Sequence, residues 1–237
     1  QRGVTLKYSY GTFNSHRAVA LWGPAGESSH TFGGAELRSS DGYGQNRASK
    51  SGSGMGQYEG RLGETGSYRI LATAYANDYK SAGLLRESDV ISGRKGFYDT
   101  YDFAQGGSSS RFSLAADVES KHGDTVFYQQ AFVIQTGMRL RENFTGFLLD
   151  TQTAIQEPHG QRGDLLDLSV SGTTFGARGH ATLRGELLGE KQELEVGYFA
   201  RGDKTLSTRA RVGAATDVPY KTDASYDSML GDIGVYA

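Results

Sequence analysis

Two stretches of this chain mix aromatic rings with guanidinium groups in a way that can hold a small ligand. The first carries Arg86, Arg94, Phe97, Tyr98 and Tyr101; the second carries Arg141, Asn143 and Phe144. Tyr and Phe supply rigid contact area, and Arg grips carboxylate- or phosphate-like oxygens through two parallel N–H donors. Such a set suits an anionic, oxygen-rich molecule. The same rings can instead pack the two stretches into a stiff rim, and the residue types alone leave both roles open. Asp89, Asp99 and Asp102 add oxygen ligands of the kind Ca²⁺ takes, but they lack the EF-hand frame, and solvated loop acids are the alternative.

Other chemistries have little to stand on. His16, His30, His122, His159 and His180 have no histidine partner three or four residues away, and no HExxH is present. There is no nucleophile elbow and no phosphate loop, and the glycines at 52, 54 and 56 miss the dinucleotide spacing. With no cysteine, a disulfide framework and a thiolate metal site are both excluded. No catalytic residue, resident metal or cofactor is therefore expected. Lys and Arg number 25 against 27 Asp and Glu, interleaved, so no basic field points to a nucleic-acid partner. Arg162-Gly163-Asp164 and Arg201-Gly202-Asp203 spell an adhesion tripeptide, but they read more simply as Arg and Asp flanking a turning glycine at the base of a loop. Asn143-Phe144-Thr145 matches a glycosylation acceptor, which matters only in a eukaryotic secretory setting.

The elements that must position the two stretches read as strands. From Arg111 to Glu119 the residues sort by parity: Phe112, Leu114, Ala116 and Val118 point one way, and Arg111, Ser113, Asp117 and Glu119 the other. Leu194, Val196, Tyr198 and Ala200 repeat the pattern against Glu193, Glu195 and Arg201, as do Val4, Leu6, Tyr8 and Tyr10 against Thr5, Lys7 and Ser9. About ten strands are expected, at 3–12, 17–23, 29–39, 48–62, 67–76, 109–119, 125–137, 166–184, 192–202 and 229–237. In the eighth, Leu166, Leu168 and Val170 are even-numbered while Ala181 and Leu183 are odd, which predicts a bulge between Gly172 and Gly176. Composition agrees: 34 Gly, 14 Tyr and 3 Pro suit long strands with tight turns, with Pro24, Pro158 and Pro219 falling in connections.

Connection lengths add a second signal. Turns at 63–66, 120–124 and 185–191 are short, whereas 77–108, 138–165 and 203–228 are long, and in an up-and-down sheet all the long ones emerge at one end. Short turns on one side and long loops on the other are the pattern of a transmembrane antiparallel up-and-down β-barrel, not of a soluble sandwich. The mean hydropathy of −0.50 fits, because barrel strands hide their lipid face in alternation. The chain begins Gln1-Arg2-Gly3 without Met and ends Val235-Tyr236-Ala237 inside a strand pattern, so it is expected to be one piece, 1–237, of a longer barrel.

Several segments resemble the TonB-dependent outer-membrane receptors, in the first half of their barrel. Val19-Ala20-Leu21-Trp22-Gly23-Pro24-Ala25-Gly26 resembles the family's second strand and following turn. Phe32-Gly33-Gly34-Ala35-Glu36-Leu37-Arg38-Ser39-Ser40-Asp41-Gly42-Tyr43 resembles the third strand rising to an Asp-Gly loop. Gly93-Arg94-Lys95-Gly96-Phe97-Tyr98-Asp99-Thr100-Tyr101-Asp102, then Gln105-Gly106-Gly107 and Arg111, and Leu140-Arg141-Glu142-Asn143-Phe144-Thr145-Gly146-Phe147 resemble a branch of these receptors. The resemblance implies an all-β partial barrel, about ten of roughly 22 strands, whose lumen a plug domain fills. It further implies an outer membrane of a Gram-negative bacterium, contacts with outer-membrane lipid, the protein's own plug and the TonB complex, and uptake of a scarce bulky solute, most often an iron-siderophore, with carbohydrate, cobalamin and peptide as open alternatives. An unplugged porin and a secreted adhesive β-protein are the alternatives.

Overall fold

A computed structural model of the chain describes residues 3–24, 30–143, 165–187, 189–213 and 217–237. Ten strands follow one another in space in their sequence order, each antiparallel to the next: β1 (Gly3–Gly11), β2 (Ser15–Gly23), β3 (Phe32–Ser40), β4 (Ser49–Leu62), β5 (Gly66–Lys80), β6 (Gly106–His122), β7 (Thr125–Glu142), β8 (Leu165–Leu187), β9 (Glu190–Val212) and β10 (Pro219–Tyr236). One short helix, α1 (Glu87–Ile91), lies between β5 and β6. The tight connections 63–65, 123–124 and 188–189 share one end of the sheet, and 12–14, 41–48 and 81–105 share the other. Gly63 and Gly123 take φ of 67° and 59°, the left-handed backbone that such tight turns require.

Register sorts the side chains into two faces, because laterally paired residues of neighbouring strands point the same way. Val4, Trp22, Gly33, Gly56, Ala72, Leu114, Val133, Phe175, Gly202 and Gly231 form one row across all ten strands, and every member is apolar. The next row on that face, from β4 to β10, is Tyr58, Ile70, Ala116, Ala131, Ala177, Ala200 and Ile233, again without a charge. The opposite face carries Glu59, Arg69, Asp117, Gln130 and Arg178 in a single row. There Arg69 Nη2 stands 3.0 Å from Asp117 Oδ1, and Arg178 Nε donates to Gln130 Oε1 at 2.9 Å. The parity seen in Arg111–Glu119 therefore extends sideways along these rows.

The high glycine content has a packing cause as well as a turn cause. A Cβ on Gly176 would sit 2.7 Å from the Phe132 ring, one on Gly202 2.5 Å from the Phe175 ring, and one on Gly60 2.5 Å from the Tyr68 ring. In each case a large ring on the neighbouring strand occupies the space a Cβ would take, so ring and glycine share one site. Gly197 with Tyr236 and Gly234 with Phe199 repeat the device. Rings and glycines together fill a surface that two large side chains would overcrowd.

The structure changes four expectations. First, β8 has no bulge: its pairing with both β7 and β9 runs without a register shift. Leu168 and Val170 instead share a face with Leu140 and Met138, while Phe175, Ala177, Ala181 and Leu183 lie on the other, so apolar character changes sides along a straight strand. Second, 203–228 is no long loop, since β9 and β10 extend through it and leave only 213–218 as the connection; the shifts found are in β10, at Pro219/Lys221 and Thr222/Ala224. Third, Pro219 opens β10 and is not in a connection, a position where its missing N–H breaks little of the ladder. Fourth, Arg201-Gly202-Asp203 lies inside β9 and not at a loop base, with Arg201 Nε 2.7 Å from Asp203 Oδ2. Pro158 and Arg162-Gly163-Asp164 lie outside the described residues.

Candidate ligand-binding rim

Three connections meet at the long-loop end of the sheet, and one asparagine ties two of them together. Asn46 Nδ2 donates to the backbone carbonyls of Ser81 at 2.5 Å, Gln105 at 2.9 Å and Asp102 at 3.2 Å. Both feet of the 81–105 loop are thus held by the 41–48 loop. Thr100 strengthens the joint: its N–H donates to Gln45 Oε1 and its hydroxyl to the Ala82 carbonyl. Phe13, at the tip between β1 and β2, brings in the third connection by accepting the Asp41 N–H at 3.0 Å.

Inside the 81–105 loop the expected cations turn inward. Asp89, in α1, is 2 % exposed, and Arg94 reaches its Oδ1 through Nη2 at 2.6 Å and Nε at 2.8 Å. Tyr101 donates its hydroxyl to Asp89 Oδ2, and the Arg86 guanidinium lies over the Tyr101 ring, 5.3 Å from its centroid. Lys95 also approaches that ring and donates to the Thr100 carbonyl. The tyrosine hydroxyl foremost, then Arg94, hold the Asp89 carboxyl below the usual carboxylate range. Burial, with the carboxylate beside it, pushes the Tyr101 phenol up. Arg86, Arg94 and Tyr101 are therefore parts of one internal cluster.

The candidate carboxylates for Ca²⁺ do not converge. Asp99 accepts the Gly96 N–H, Asp102 accepts the Ala104 N–H, and Asp89 is held as above. Among the described residues no three His, Cys, Asp or Glu gather into a metal site.

The second predicted stretch is split. Arg141 Nε lies 3.4 Å from Asp167 Oδ2, alongside Arg139, whose guanidinium grips the same carboxylate at 3.0 and 2.6 Å. Asn143 is buried, and its N–H donates to Gln105 Oε1. Phe144 lies outside the described residues.

Open to solvent at this end is a chain of rings. Phe13 and Tyr43 have centroids 6.3 Å apart, Tyr43 and Tyr98 6.1 Å, and Tyr98 and Phe97 5.1 Å, all edge to face. They are 55 %, 57 %, 54 % and 72 % exposed in that order along the ladder, Phe13, Tyr43, Tyr98, Phe97. Arg47 lies over Tyr43, 4.8 Å from its centroid. Phe97 and Tyr98 stood among the sequence candidates; Phe13, Tyr43 and Arg47 did not. The Asp41-Gly42-Tyr43 loop signal was present, but nothing in sequence says that Tyr43 faces a ring 55 residues onward.

No known protein family and no curated protein matches the chain by sequence. Its fold is similar to that of a solved structure, the ferric citrate transporter FecA in the unliganded form, with a TM-score of 0.61 and 12 % identity over 96 % of this chain and 32 % of that one. The chain thus spans about a third of the length of that transporter, and its ten up-and-down strands fit a part of a barrel wall.

Proposed function

We propose that the chain forms part of the barrel wall of an outer-membrane receptor that imports a scarce bulky solute by active, TonB-coupled transport, with an iron-siderophore as the cargo the resemblance implies. The observation that carries the reading is the charge-free row from Val4 to Gly231 set against the charged row of Glu59, Arg69, Asp117 and Arg178. Alternating apolar and polar faces over long strands, with the tight turns 63–65 and 123–124 at one end and the long 81–105 loop at the other, suit a wall between lipid and a polar lumen. The likeness in fold to a ferric citrate transporter supports transport as the role.

In this reading the protein's own plug fills the lumen, the solute docks on the loop side, and the TonB complex supplies the force that moves the plug. The chain's part is to hold the wall and present the rim; no covalent step is needed. A porin would conduct passively instead. Adhesion gains nothing from Arg201-Gly202-Asp203, whose ends pair with each other inside β9.

The test is accumulation of the cognate solute in cells carrying the full-length protein, with and without TonB. Binding at the surface that persists while accumulation stops is the expected result. Accumulation that continues without TonB supports a porin, and absence of both for every nutrient tried supports an adhesive role.

A further inference from the structure

We propose that the Phe13–Tyr43–Tyr98–Phe97 ladder is a stacking platform for uncharged sugar rings. This deepens the loop-side docking of the solute and rests on that reading. Three observations meet here. The first is that cations described at this end already have partners: Arg94 pairs with Asp89, Lys95 with the Thr100 carbonyl and the Tyr101 ring, and Arg139 and Arg141 with Asp167. Arg47, the cation that touches the ladder, lies over the Tyr43 ring. An anionic ligand would meet rings where it needs open guanidinium groups.

The second observation is the form of the exposed surface. Four rings from three separate connections lie in one continuous edge-to-face series, each more than half exposed. Rings that served only to stiffen the rim would be buried against it. An aromatic face is electron-rich and attracts the weakly positive C–H groups of a sugar face, while the sugar hydroxyls stay in water. A purely apolar ligand would leave no polar edge for that wet side.

Strain at the tip is the third. Phe13 and Asn14 both have left-handed backbones, with φ of 59° and 51°. Asn is at ease there, but a phenylalanine is uncommon in that region. Its ring gains little burial in return. A bulky residue held in a costly conformation with its side chain in solvent points to a contact made outside the chain.

Sugar rings can reach this rim from two sources, a free oligosaccharide or the sugar headgroup of an outer-leaflet glycolipid. Full-length protein in phosphatidylcholine nanodiscs is titrated with fluorescent maltohexaose and, separately, with a lipid-free neutral glycolipid headgroup oligosaccharide. Saturable binding of either probe is expected, and the preferred probe identifies the source. Phe13→Ala, Tyr43→Ala and Phe97→Ala should each weaken binding at least about fivefold. Ile91→Ala, an exposed apolar residue of the same loop outside the ring series, should match the parent. Should Phe13→Ala fail to assemble, Phe97→Ala carries the test, since its ring is 72 % exposed. The proposal is overturned if neither probe binds, if the three alanine variants bind like the parent, or if about 0.5 M salt abolishes binding and so reveals an ionic grip. Loss of TonB dependence with sugar binding intact would strike the transport reading alone; indifference to sugars with coupled uptake intact would strike this one alone.

Discussion

Asp89 and Arg94 close the 81–105 loop on itself, with Arg94 Nη2 2.6 Å and Nε 2.8 Å from Asp89 Oδ1. The carboxylate that looked available to a cation is the loop's own anchor, and the guanidinium that looked available to an anion is its clamp. Tyr101 completes the enclosure from the other oxygen. The rim is thus stiffened by its charges and presents its rings.

This anchor carries a pH dependence. The Asp89 carboxyl is held below its ordinary value, foremost by the Tyr101 hydroxyl. A group depressed in the folded state stabilises fully above its unfolded pKa, about 3.9 for Asp, and that contribution fades as pH falls through the lower folded value. Amide exchange across 81–105 should therefore be flat from neutral pH to about 5, once corrected for intrinsic rates, and should rise below about 4. Asp89→Asn should already be several times faster at neutral pH and lose the acid-dependent rise. A parent loop whose protection is unchanged at the lowest pH would refute the anchor.

Facing can be tested one residue at a time. Leu114 belongs to the charge-free row and Ser113 to the opposite face of the same strand. If the apolar face meets lipid, Leu114→Arg should destabilise the full-length barrel in bilayers by about 2–4 kcal/mol, and Ser113→Arg by much less. Spin labels along 111–119 should show oxygen accessibility with a period of two. Equal costs on both parities would remove the membrane wall.

How much of this was legible in sequence depended on where polarity alternates. Phe112 to Val118 could be read because one face is apolar and the other charged. The upper parts of β9 and β10 could not, because Arg209, Arg211, Lys221 and Asp223 make that stretch polar throughout, and Arg211 pairs with Asp223 across the two strands. β8 misled because its apolar residues change face partway, and a change of face looks like a bulge when only parity is visible. At the rim, Phe97 and Tyr98 were legible as loop aromatics. Their union with Tyr43 and Phe13 was not, since strand order alone brings those three connections to one end.

The straight register of β8 predicts specific crosslinks. Gly172 faces Thr205 and Ala181 faces Val196, with nine residues separating each partner on its own strand. Cysteine pairs at 172/205 and at 181/196 should both oxidise to disulfides, because directly opposed strand residues lie within the Cα range a disulfide spans. A bulge between the two pairs would misalign one of them, so a single reactive pair would restore the irregular strand.

Glycine at 176 is expected to be intolerant and glycine at 185 tolerant. A Cβ on Gly176 would stand 2.6 Å from the Ala200 carbonyl oxygen and 2.7 Å from the Phe132 ring, whereas Gly185 has nothing within 4 Å. Gly176→Ala should cost about 1–3 kcal/mol in unfolding by denaturant, the range of overpacking. Gly185→Ala should stay within about 0.5 kcal/mol. Trimming the ring with Phe132→Leu should rescue Gly176→Ala only in part, because the carbonyl belongs to the backbone. Full rescue would show that the ring alone sets the limit.

Asn46 should prove the most sensitive single residue of the rim. It combines a left-handed backbone, φ 53°, with a side-chain amide aimed at the carbonyls of Ser81, Asp102 and Gln105. The two requirements separate by substitution. Asn46→Gly keeps the backbone at ease and loses only the donors, at about 1–3 kcal/mol. Asn46→Ala adds the strain of a Cβ in the left-handed region, about 1–2 kcal/mol more. Asn46→Asp preserves size and backbone preference but turns an acceptor toward three carbonyl oxygens, which adds repulsion to the lost hydrogen bonds. Hydrogen exchange at the Ser81 and Lys80 amides, which bond to Gln105 and Ala48 at the loop's feet, reads the opening directly. Exchange should be slowest in the parent and faster in all three variants, with Ala faster than Gly and Asp well above Gly. The strands should remain protected in each, because β5 and β6 are paired along their whole length independently of the clasp. An aspartate variant as protected as the parent would mean that the amide does not hold the loop.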